Sequence, residues 1–137
     1  MTPNKIIIHH SLTKDSGTVS WGAIRKYHVE TNGWADIGYH WGIELINDHY
    51  EILMGRPSDH IGAHTIGQND QAIGICIVGN FDIDPVLPEI KDQLHILIEW
   101  LIGVYKIPNQ KIYGHCEFAQ KTCPGKNLFD WVKEIRK

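Results

Sequence analysis

Residues 114–125 gather an imidazole (His115), two thiols (Cys116 and Cys123), a carboxylate (Glu117) and an amine (Lys121) in one turn-rich stretch. A second reactive group stands near the start, where the run Ile6-Ile7-Ile8 ends in His9-His10-Ser11. Two imidazoles and one thiolate can hold zinc and leave a fourth position for water, the open form that catalytic zinc uses. On an extended strand neighbouring side chains point to opposite faces, so His115 and Cys116 should not both reach one ion. The same alternation separates His9 from His10 without saying which of them faces the metal. The structural alternative is a buried Cys123 that acts as a small apolar residue, with His115 satisfied at a strand edge.

These groups need a scaffold. At 137 residues, with 42% hydrophobic and 21% charged content, the chain has the size and composition of one soluble domain able to bury a core without disulfides. A formal net charge of −3 gives no electrostatic basis for binding nucleic acid or an anionic membrane surface. Cys76, Cys116 and Cys123 leave an odd thiol under any single disulfide, which points to a reducing compartment. The apolar run near Met1 is too short for a signal segment or a membrane span, so the expectation is cytoplasmic synthesis with later release.

Hydrophobic spacing predicts strands over residues 5–9, 38–46, 50–54, 73–78 and 111–115, the second and third joined by a hairpin turn at Asn47-Asp48-His49. Helices are predicted over 20–31, with Ser20 as N-cap and Trp21, Ile24, Tyr27 and His28 on its inner side, over 88–105, and over 128–135 capped by Asn127. On the long helix, Leu94, Leu97, Ile98, Leu101, Ile102 and Tyr105 form the buried stripe, and Trp100 and Trp131 are read as core. The predicted fold class is α/β: one domain over 1–137, built on a central mixed β-sheet flanked by helices on both faces. His9 and His115 would then end buried strands, where such sheets commonly place functional groups.

Taken with Gly38-Tyr39-His40-Trp41, the loop from Gly62-Ala63-His64-Thr65 to Asn69, and Thr122-Cys123-Pro124-Gly125, these motifs resemble the zinc-dependent N-acetylmuramoyl-L-alanine amidases. The resemblance is to the bacteriophage T7 lysozyme and peptidoglycan recognition protein type and covers nearly the whole chain. It implies Zn2+ on His9, His115 and Cys123, with Tyr39 and Lys121 as catalytic residues. It also implies a peptidoglycan muramyl peptide as substrate and His64 in the cleft. Arg56 and Asn69 are further candidates for stem-peptide contacts. Recognition members that bind without cutting typically lack the ligand cysteine, which this chain has.

The chemistry suits those side chains. Amide hydrolysis needs a strong nucleophile, oxyanion stabilisation and a proton for the leaving amine; zinc can bring the pKa of its water to about 7, while Tyr39 and Lys121 would stabilise the oxyanion. Glu117 would either orient an imidazole or face water. The expected activity is endolysin-like cell-wall lysis by a monomer without nucleic-acid or membrane partners. Nothing readable in the sequence transfers a regulatory protein partner. A non-catalytic binding module of the same fold and an amidase acting on another bond, in a recycling role, are the alternatives. The paired cysteines that many recognition proteins carry near the first helix are not found in this sequence, which brings it closer to small phage or prophage enzymes.

Overall fold

The computed structural model describes residues 1–13 and 20–137. Five strands form one mixed sheet: β1 (Lys5–His10), β2 (Trp41–Ile46), β3 (His49–Met54), β4 (Ala72–Ile77) and β5 (Ile112–Gly114). Their spatial order is β3-β2-β4-β1-β5, with β1 parallel to both β4 and β5, β2 parallel to β4, and only β3 antiparallel. The helices are α1 (Trp21–Lys26), which continues in a π-helical turn over Tyr27–Thr31, α2 (Pro88–Tyr105) and α3 (Lys126–Ile135). Ser20 caps α1 as expected, its side chain accepting from the Ala23 N–H. Among the described residues no helix is long and apolar enough to cross a membrane.

Strand alternation assigns the two faces. Ile6 and Ile8 of β1, Ile43 of β2 and Ile73, Ile75 and Ile77 of β4 pack with Ile90, Leu94, Leu97, Ile98 and Leu101 of α2 and with Leu128 and Val132 of α3. Each such side chain taken fully out of water contributes roughly 1.5–3 kcal/mol. The opposite face carries a smaller cluster of Trp21, Ile37, Cys76 and Val78. Helices therefore cover both faces, but unequally.

Several local expectations change. Strand β1 runs one residue further, to His10, and β5 stops at Gly114, so His115 opens a 3-10 turn over His115–Glu117. The hairpin turn shrinks to Asn47-Asp48, with Ile46 paired to His49 and Asn47 at φ +59°. Trp100 is not core: it is 52% exposed and meets Trp41 edge-on at 5.8 Å. Trp131 does pack against the core from a partly buried position. Tyr27 is also exposed, because the helix changes pitch there. Asn127 does not cap α3, which starts at Lys126, two residues before the predicted start; its side-chain amide donates instead to the Asp84 carbonyl.

The smaller cluster depends on close backbone approach. A Cβ on Gly38 would lie 2.1 Å from the Ala63 carbonyl oxygen, and one on Gly42 would lie 2.4 Å from the Trp21 ring. Backbone cannot yield as a flexible side chain can, so Gly38→Ala should cost about 3 kcal/mol, the upper end for overpacking. Urea unfolding of the variant checks this; an unchanged midpoint would show that the two segments separate easily.

Candidate metal centre and groove

Because β1 lies between β4 and β5, Ile8 pairs with both Ile75 and Gly114. The next residues along β1 and β5, His9 and His115, are thereby brought together with ring centroids 4.5 Å apart. Strand alternation points His9 away from the isoleucine face. His10 goes the other way, stacking on Phe81 and accepting the Phe81 N–H at its Nδ1. Of the two histidines, His9 is therefore the one that lies beside His115 and Cys123.

Cys123 arrives on a loop closed by several bonds. Its carbonyl accepts the Cys116 N–H at 2.7 Å, and its Sγ accepts the His10 N–H at 3.4 Å. Asp82 anchors both sides of the loop, accepting from the Thr122 hydroxyl and the Lys126 N–H. Ligand atoms of His9, His115 and Cys123 all lie within 4.8 Å of one another. Cys116 stands outside that group, consistent with an open rather than a closed ligand set.

The donors fit a metal ion. His9 Nδ1 and Cys123 Sγ are 3.8 Å apart, close to the edge of about 3.6 Å that tetrahedral zinc–nitrogen and zinc–sulfur bonds would span. Burial holds the pKa of His9 well below 6.5, assisted by His64, His115, His10 and Lys121; burial and Lys121 lower that of His115. Both rings are therefore neutral and can donate lone pairs. Burial pushes the Cys123 thiol up to about 12. A cation is what would make it a thiolate at neutral pH.

Tyr39 sits with its ring 5.2 Å from His9 and stacked on Trp21. Burial raises its pKa well above 10, with Cys76 and Cys123 adding to the shift, so the hydroxyl keeps its proton. The backbone beside it is fixed: Gly38 N–H donates to His28 Nδ1, and the Tyr39 carbonyl accepts from Arg56 N–H. Lys121 is exposed at the rim, and among the described residues its ammonium has no ion pair.

A groove of ≈ 500 Å³ lies over the cluster, lined by His9, His115, Cys123, Tyr39, Lys121 and Trp34 among others. It adjoins a ≈ 350 Å³ recess along α1 through shared His28 and Tyr39, and a ≈ 290 Å³ recess lined by Asn69, Ile66 and Phe118 through shared His64 and Lys121. The site can thus take an extended ligand across the metal position.

The remaining predicted residues behave differently. His64 borders the groove, yet both ring nitrogens are engaged within the protein, with His9, Thr65 and the Ala72 carbonyl. Asn69 Oδ1 accepts the His64 and Thr65 N–H groups, which leaves its amide nitrogen for a ligand. Arg56 does not line the groove; it donates to the carbonyls of Ile37, Ile61 and Asp36, clamping the backbone beside Tyr39. Glu117 neither orients an imidazole nor stands free in water: it accepts from the Gly114 N–H and from Arg136. Sequence reasoning did not single out Thr65, whose hydroxyl meets both His64 and His9, or the His28 ring nitrogen that accepts the Gly38 N–H; Thr65 stands beside His64 in the Gly-Ala-His-Thr motif, and the spacing marks His28 only as a helix-face residue.

Fold and cluster together define an α/β protein in which three side chains able to ligate a metal converge beneath a groove. The N-acetylmuramoyl-L-alanine amidase family model matches residues 1–126. The endolysin of Enterobacteria phage K11 is 33% identical over 135 residues, covering 95% of this chain and 85% of that protein. That of Escherichia phage T7 is 33% identical over 131 residues, covering 92% and 83%. Among solved structures, the N-acetylmuramoyl-L-alanine amidase LysC from Clostridium intestinale aligns with TM-score 0.83 and 32% identity, over 97% of this chain and 84% of that one. The chain belongs to the N-acetylmuramoyl-L-alanine amidase family and is an amidase.

The histidines make the fold acid-sensitive. Burial lowers the pKa of His9, His10, His28, His40 and His115, and that of His64 to about 3. At these six rings the unfolded chain therefore takes up protons from about pH 6.5 downward, at higher pH than the folded chain does. Stability is complete above that pH and falls as pH drops toward the folded values. With chelator present to exclude metal, thermal unfolding should move steadily lower between pH 7 and pH 4. A flat profile would show that these rings titrate normally in the fold.

Proposed function

We propose that the chain hydrolyses the amide between N-acetylmuramic acid and L-alanine in peptidoglycan, using Zn2+ held by His9, His115 and Cys123. The carrying observation is the convergence of those three donors from the two ends of the chain, with His9 Nδ1 and Cys123 Sγ at zinc-ligand separation. Two imidazoles with one thiolate is a donor set that suits zinc. The ion, when bound, supplies Lewis acidity that acidifies water and polarises an amide carbonyl.

The chain's own residues do the rest. Tyr39, protonated and adjacent to His9, donates a hydrogen bond to the carbonyl oxygen as charge develops there. Lys121 brings a positive charge to the same oxyanion from the rim of the groove. Asn69 presents its amide to the stem peptide in the recess beyond His64. Arg56, expected to touch the peptide, acts through the backbone it clamps. All these groups come from one chain, which supports a monomer whose 137 residues work as one catalytic domain. The relatives named endolysin support a role in cell-wall lysis after release.

Purified protein incubated with muropeptides should release free stem peptide with zinc present and not after chelation. Intact muropeptides in the zinc-loaded sample would defeat the proposal. Tyr39→Phe and Lys121→Met should each lower kcat about 100-fold or more while leaving KM within a few-fold. Cys123→Ser should abolish turnover yet keep muropeptide binding; full turnover by that variant would rule out the ligand set.

A further inference from the structure

We infer that His64 is a positioning residue for the metal centre, holding His9 in the tautomer whose Nδ1 is free to bind the ion. The inference rests on the proposed reading of the site as a metal centre.

Hydrogen placement follows from the acceptors. His64 Nε2 lies 3.2 Å from the Ala72 carbonyl oxygen, which can only accept, so that nitrogen carries the ring proton. In a neutral ring, His64 Nδ1 is then an acceptor. It faces His9 Nε2 at 3.0 Å, a contact that needs one proton between the two nitrogens. His64 Nδ1 has none, so the proton belongs to His9 Nε2. Thr65 Oγ1, 2.9 Å from His64 Nδ1 and 3.3 Å from His9 Nε2, supplements the same bond. His9 Nδ1 is left with its lone pair directed at Cys123 Sγ.

The ring of His64 is held in place on several sides. A Cβ on Gly74 of β4 would lie 2.6 Å from its ring, and one on Gly62 would lie 2.7 Å from its Cδ2. Asn69 fixes the backbone from below by accepting both the His64 and the Thr65 N–H. A residue whose role was to adapt to substrate would keep a free nitrogen; His64 keeps neither. The chain from the Ala72 carbonyl through His64 and His9 therefore ends at the metal position and sets the ligand before any ion arrives.

Orienting partners of this kind typically change metal affinity 10–100-fold when removed. Zinc affinity of the full chain, measured by competition with a chromophoric chelator, should weaken about 10–100-fold in His64→Ala. His64→Asn restores an acceptor oxygen where Nδ1 stood, so its affinity should remain near that of the unmodified chain. Equal zinc affinity in His64→Ala and the unmodified chain, or an Asn variant as weak as the Ala variant, would overturn the inference. Long-range proton–nitrogen NMR of the unmodified, metal-free protein gives a reading that needs no variant: His9 and His64 should both appear as Nε2–H tautomers. An Nδ1–H form of His9 would refute the relay. If the unmodified chain binds no zinc at all, the metal reading itself fails, a result distinct from equal binding by chain and variants.

Discussion

The parallel pairing of β1 with both β4 and β5 is the constraint on which the centre depends. It fixes which residues of distant segments stand side by side, and the pleat decides which face each one takes. A slip of one residue would bury His9 among the isoleucines and swing His10 toward the groove. The apolar face prevents that slip, since Ile6 and Ile8 are fully buried against α2 and α3. Core packing on one side of the sheet thus specifies ligand geometry on the other.

The groove face follows different rules. Where the helical side stacks branched aliphatics, this side uses Gly42 and Gly74 to let aromatic and imidazole rings lie directly on the backbone. His40 shows how fully such rings are used: it accepts the Gly74 N–H and reaches the His60 carbonyl, tying two loops to β4. Among the described residues no buried side-chain nitrogen or oxygen lacks a partner. Burying so many titratable rings would be costly unpaired, and the network meets that cost while keeping them neutral. Neutrality is also what a metal-binding imidazole requires, so the physics of folding and of coordination pull in one direction.

Much of this could be read from residue order. The β-branched runs and the 88–105 periodicity marked the sheet and its main helix, because burial on a strand or stripe leaves a repeating trace. The histidines and Cys123 stood out by chemical type, and the resemblance of several ordered motifs selected among them. Contacts made once leave no such trace. Arg56 looked like a ligand for peptide and is occupied by three backbone carbonyls; Trp100, expected in the core because it falls on a helix, lies on the outside of α2. Asn127 sat where a cap was expected, but Gly125, at φ +93°, takes the cap position and the helix begins two residues sooner. These choices are made by tertiary contacts between segments far apart in sequence.

One feature of the closing loop reaches beyond catalysis. Strand β5 has only three paired residues, and the segment after it is held to the sheet by Cys123 and the Asp82 latch. An ion shared by residues 114 positions apart would act as a clasp across nearly the whole polypeptide. The integrity of that short edge strand would then rise and fall with the supply of free metal, and one atom would govern both turnover and the lifetime of the fold.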